Sequence, residues 1–253
     1  MANPPTIIVT RPSPMGESLC QELNDLGYRA IHCPLIRFTA NTDHSPEQQL
    51  ALLEQHKLWI FVSKQAVDFA LRDLSREQLE QFLGHTLIAV GKATQKALQP
   101  YGLSALVPKT PDSEGILALV NQFSLPANYP ILLIRGDKGR GLLEQELNGP
   151  YQLGALPVYH RIELTAALPP AMQQASAEHP VAWVVTSAQL LELTDKMLAT
   201  AEIKPEQVAI IGGSERISDL ARQKGYTNCY TATDASNAEI IHACLDWRKP
   251  ASV

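Results

Sequence analysis

Long apolar runs are missing from this chain. No stretch reaches the roughly 18 apolar residues that span a bilayer, so no membrane partner is expected. The opening MANPPTIIVTRP lacks the basic region and extended apolar core of a secretory signal, and a cytoplasmic protein is expected. Cysteine is scarce: Cys20, Cys33, Cys229 and Cys244 form no C-x-x-C and read as reduced thiols rather than a disulfide framework. The seven histidines show no H-E-x-x-H or other ligand spacing, so no metal is expected. A basic excess is also lacking, with 21 Lys and Arg against 26 Asp and Glu, a net charge of −5 that argues against a nucleic-acid partner. Any anionic ligand therefore needs a locally built site.

What the 253 residues do contain is a repeat running their whole length. WIFVSKQAV at 59–67 returns as WVVTSAQLL at 183–191, with Ser63 and Ser187 standing 124 positions apart. Arg11 and Arg135 keep the same spacing of 124, and Pro34 and Pro157 lie 123 apart. LIAVGKATQKALQPYG answers to VAIIGGSERISDLARQKG, and each half closes on a helix-like pattern opened by Ser113 or Ser236. The halves, near 1–125 and 126–253, read as a duplicated set of β-α units.

TIIVT, WIFVS, LIAVG, ILLIR, WVVTS and VAIIG are near-continuous apolar runs, as strands buried on both faces should be. Alternating with helical segments, they predict an α/β fold with parallel sheets covered by helices. Each run ends at a small, polar or basic residue, and in open α/β sheets ligands bind at the carboxyl ends of the strands. If the two domains face each other, these edges line one cleft. Ser63, Gly91 through Thr94, including Lys92, Ser113, Ser187 and Ser214 stand at helix starts, where free N–H groups and the positive dipole end favour an anion. Capping alone accounts for any one of them. Their recurrence in both halves, joined by Arg11, Arg135 and Arg140, favours a ligand. RGDKGRG at 135–141 has the glycines for a backbone anion nest but matches neither G-x-G-x-x-G nor G-x-x-x-x-G-K-[ST], which argues against a dinucleotide or nucleoside triphosphate.

Taken in order, VTRP at 9–12, FVSKQAV at 61–67, AVGKAT at 89–94, RGDKGR at 135–140, PVYHR at 157–161 and VVTS at 184–187 resemble the uroporphyrinogen-III synthase family along the whole chain. The resemblance implies two flavodoxin-like lobes with parallel sheets, the chain crossing twice between them through a short β-ladder. Lobe 1 would comprise 1–36 and 166–253, lobe 2 would comprise 40–155, and the linkers would be 33–40 and 156–164. It implies a monomeric lyase that closes the linear tetrapyrrole hydroxymethylbilane, with loss of water and inversion of the last ring, and needs no cofactor. Substrate carboxylates would be held around Arg11, Ser63, Lys92, Thr94, Arg135, Arg140, Ser187 and Ser214. Tyr159 would be the catalytic acid, since a phenol with a reference pKa of about 10 is protonated at neutral pH; packing alone also accounts for a linker tyrosine. The second half has Ile217 where the first has Thr94, leaving Ser214 or Ser218 to replace the hydroxyl. A non-catalytic polycarboxylate binding or sensor protein and a two-domain sugar transferase share the same pattern.

Overall fold

The computed structural model describes residues 4–139, 141–165, 167–174 and 180–248. Its strands are β1 (Thr6–Val9), β2 (Arg29–His32), β3 (Ile36–Ala40), β4 (Leu58–Phe61), β5 (Thr86–Ala89), β6 (Pro130–Gly136), β7 (Gln152–Glu163), β8 (Val181–Val185), β9 (Ala209–Gly212) and β10 (Asn228–Thr231). The helices are α1 (Met15–Asp25), α2 (Pro46–Gln55), α3 (Lys64–Leu71), α4 (Arg76–Glu80), α5 (Lys92–Leu98), α6 (Ser113–Asn121), α7 (Leu142–Leu147), α8 (Ala188–Thr200), α9 (Glu215–Gln223) and α10 (Asn237–Arg248). All six apolar runs form strands. Every residue of β1, β4, β8 and β9 is buried, which is why these stretches carry no polar alternation.

The chain divides into two compact units, one of residues 1–37 with 162–253 and the other of 38–161. These units do not follow the sequence repeat. In the first, the five strands run in the order β10-β9-β8-β1-β2, with β1 pairing in parallel with β2 on one side and β8 on the other. Two strands from the first repeat thereby complete a sheet whose other strands come from the second. The remaining sheet has the order β3-β7-β6-β4-β5, and its β4-β5, β4-β6 and β6-β7 pairs are parallel.

The repeated tryptophans are core anchors, Trp59 and Trp183 both being fully buried. Trp59 packs edge-on against Phe82, ring centroids 4.7 Å apart, and its indole N–H reaches the carbonyls of Leu53 and His56 at 3.2 and 3.0 Å. The repeated glycines end helices. Gly102 and Gly225 have φ of 72° and 95°, a left-handed conformation that costs glycine least, and each stops a helix so that its chain can return to the sheet.

One helix start differs from the sequence expectation. Asp112, rather than Ser113, caps α6, its carboxylate accepting from the Gly115 N–H at 2.7 Å, and Ser113 is the first helical residue. Aspartate is as good a cap as serine, so the short side chain one position earlier took the role.

Candidate active site

Parallel strands feeding into helices place the loops that join them at the carboxyl edge of the sheet. In the second unit Ser63 occupies the loop after β4: its backbone is extended, and its hydroxyl accepts from the Ala66 N–H at 3.0 Å, capping α3. In the first unit Ser187 does the same after β8, accepting from Leu190 N–H at 3.2 Å. The matching turns after β5 and β9 are built differently. Gly91 caps α5 without a side chain, exposed Lys92 is the first helical residue, and Thr94 sits at the third helical position, only 4% exposed. Ser214 caps α9 but makes no capping hydrogen bond, and Ile217 at the third position is 1% exposed. Position three faces inward in both helices, so a buried Ile is the packing equivalent of a buried Thr.

Ser218 has its hydroxyl engaged inside the protein. It is fully buried, accepts a hydrogen bond from Thr231 Oγ1 at 2.8 Å, and lies where a β-carbon on Gly212 would stand 2.4 Å from its Oγ. Ser214, half-buried and free of a cap bond, presents the hydroxyl at this turn.

Among the sequence-predicted residues, the structure brings Ser63 and Tyr159 together. Their hydroxyl oxygens lie 3.1 Å apart although 96 residues separate them. Half-buried Tyr159 packs edge-on to Phe38 at 5.4 Å and beside Phe69 at 5.8 Å, while Gly136 lies under its ring. Next to it, His160 Nδ1 is 3.1 Å from Asp137 Oδ2, and this hydrogen bond is the main reason the Asp137 carboxyl is held below the usual carboxylate range. Phe38, Phe69, Gly136, Asp137 and His160 were missed in the sequence reading. Gly136, Asp137 and His160 lie inside the motifs RGDKGR and PVYHR, and the signal that could have found them is the adjacency of those motifs at the ends of the neighbouring parallel strands β6 and β7.

Two of the three arginines have partners within the protein. Arg11 is 7% exposed: its guanidinium donates to Asn237 Oδ1 at 2.9 Å, and Asn237 in turn donates to Ser18 and Glu22, so Arg11 ties the loop after β1 to α10 and α1. Burial lowers its pKa and Glu22 opposes that shift. These contacts give Arg11 a structural tie whose partner, Asn237, comes from the far end of the chain. Arg135 is occupied too, with Glu144 Oε1 2.8 Å from its Nε and its own loop accepting from Nη1, at Gly136 O (2.8 Å) and Asp137 O (3.3 Å). Arg140 lies outside the described residues. The glycine-rich segment does border a cavity of about 290 Å³, lined by Arg135, Lys138, Gly139, Gly141 and the start of α6.

As a class, then, this is an α/β protein with two parallel-rich sheets whose strand ends carry helix starts and hydroxyl side chains. The family model described as "Uroporphyrinogen-III synthase HemD" matches residues 17–242. The chain is 28% identical over 252 residues to the uroporphyrinogen-III synthase of Escherichia coli, covering 94% of this chain and 99% of that one. It is 36% identical over 156 residues to that of Proteus mirabilis, covering 60% of this chain and 75% of the relative. Its fold is similar to the crystal structure of a mutant uroporphyrinogen III synthase from the extreme thermophile Thermus thermophilus, with a TM-score of 0.60 and 17% identity over 96% of this chain and 98% of that one. The chain belongs to the uroporphyrinogen-III synthase family.

Proposed function

We propose that this protein is a hydro-lyase that closes hydroxymethylbilane to uroporphyrinogen III, releasing water and inverting the last pyrrole ring. The observation that carries the mechanism is the Ser63–Tyr159 hydroxyl pair at the carboxyl edge of the second unit. Departure of the substrate hydroxyl leaves a cation-like azafulvene, and a phenol can protonate the departing oxygen as it goes. Ser63 orients that phenol through the 3.1 Å contact and can donate its hydroxyl hydrogen to the phenolate left behind, which regains a proton from the pyrrole carbon that loses one on ring closure. An eight-carboxylate substrate needs many anion donors. Helix starts at Ser63, Lys92, Ser187 and Ser214 supply them as backbone N–H groups, in a chain whose net charge is −5. With Thr94 turned inward, the turn after β5 would act through its backbone and Lys92 rather than through the Thr94 hydroxyl.

In this reading the two units are flavodoxin-like lobes. In the first unit the order β2-β1-β8-β9-β10 corresponds to 2-1-3-4-5 when its strands are counted along the chain, the order of that fold. The chain would cross between lobes through β3 and β7. The enzyme would work as a monomer in the cytoplasm, a reducing compartment that suits the four free cysteines.

Tyr159→Phe tests the acid. A positioned general acid contributes about 10²- to 10⁴-fold, and with Ser63 or water as partial substitute we expect turnover to fall at least about tenfold. The uninverted isomer, which hydroxymethylbilane forms without catalysis, should rise in the product. A Tyr159→Phe protein with wild-type melting, wild-type rate and only the inverted product removes Tyr159 from the mechanism.

A further inference from the structure

Tyr159 and His160 are consecutive in a strand and therefore project to opposite faces, so the two side chains cannot work on the same atom directly. The link between them runs through β6. Arg135 pairs with Pro157 but Gly136 pairs with Tyr159, so the register slips by one residue between Arg135 and Gly136, as a β-bulge does when it re-aims a side chain. The slip sets the Tyr159 ring over Gly136. A β-carbon there would stand 2.8 Å from both Cε2 and Cζ of Tyr159 and 3.1 Å from its hydroxyl oxygen. Gly136 is not among the residues with positive φ, so the missing side chain, rather than backbone freedom, is what this position supplies.

Asp137 then fastens the arrangement twice. Its N–H donates to the Tyr159 carbonyl at 2.9 Å, and its carboxylate holds the His160 ring at 3.1 Å. Main chain and following residue are both pinned, Phe38 and Phe69 flank the ring, and the hydroxyl is left 3.1 Å from Ser63.

We propose that Gly136 and the Asp137–His160 pair are positioning residues that hold the Tyr159 phenol against Ser63. Gly136 clears the space that the ring occupies, and the pair keeps β7 in the slipped register. The proposal rests on the role given to Tyr159 above, and its test separates the two.

The experiment uses the full chain carrying Gly136→Ala or Asp137→Asn, each also made with 3-fluorotyrosine at position 159 alone. A displacement of the order of 1 Å can cost about 10²-fold, so Gly136→Ala should lower kcat by about 10- to 100-fold with KM within about twofold and melting close to wild type. The fluorine resonance should shift, and Gly136→Ala combined with Tyr159→Phe should be no slower than Tyr159→Phe alone, because both act on one group. Asp137→Asn, which adds no atom to the core, should move the same readouts in the same direction and serves if the alanine variant does not fold. An unmoved fluorine resonance in both variants overturns the proposal, and so do effects on kcat that multiply in the double variant. If Tyr159→Phe alone keeps wild-type turnover, the acid reading falls, and the fluorine resonance then decides the positioning by itself.

Discussion

Replacing Arg11 by Met separates a structural arginine from a substrate-binding one. The substitution keeps an unbranched side chain of similar length and removes every donor. Arg11 Nη1 gives Asn237 Oδ1 a charged hydrogen bond of 2.9 Å, and hydrogen bonds to charged groups contribute about 1.5–3 kcal/mol. Part of that returns, because a buried guanidinium that is 7% exposed carries a desolvation cost that methionine does not, and Asn237 keeps Ser18 and Glu22. The net loss should be about 1 to 2 kcal/mol. For a chain of this size, 1 kcal/mol moves the midpoint by about 2–4 °C, so Arg11→Met should melt roughly 2 to 8 °C lower. Thermal melts by circular dichroism, with kcat and KM measured well below the transition, give both halves of the answer. The expected result is a lower midpoint with KM within about twofold of wild type, since no shared substrate contact of about 0.5–1.5 kcal/mol is lost. An unchanged midpoint with a KM raised tenfold would refute the reasoning and return Arg11 to the substrate.

Two other outcomes follow from the helix starts. Ser214→Ala removes no capping bond and should leave melting unchanged while weakening substrate binding, whereas Ser218→Ala strips the buried acceptor of Thr231 and should cost about 0.5–1.5 kcal/mol of stability with binding intact; melts and KM values for the pair check the assignment. Affinity for a tetrapyrrole octacarboxylate, measured by calorimetry, should fall as salt rises, because exposed charges are screened over about 8 Å at physiological ionic strength; a salt-independent affinity would reject a carboxylate-dominated site.

The strands were legible because parallel strands covered on both faces must be apolar throughout, and TIIVT or WVVTS can be little else. Ser63, Ser187 and Ser214 were legible as helix starts because a hydroxyl before a helical pattern is a cap. The pairing of β1 with β8 was not, since nothing local in Thr6–Val9 says that Val181–Val184 will lie beside it. The contact of Arg11 was hidden for the same reason: Asn237, which accepts its hydrogen bond, is 226 positions away. The burial of Thr94 was legible, because Thr94 and Leu98 are four apart on α5, one stripe of the helix, and both are buried. The Ser63–Tyr159 pair required the order of β7, β6 and β4 in the sheet, which a duplicated sequence alone leaves open.

The most direct test is to give the purified full chain fresh hydroxymethylbilane and resolve the uroporphyrinogen isomers by chromatography against an enzyme-free control. The account predicts rapid loss of the linear substrate and a product dominated by the inverted isomer, uroporphyrinogen III. Substrate that disappears no faster than in the control, giving only the uninverted isomer, would contradict it and make this chain a polycarboxylate-binding protein without turnover.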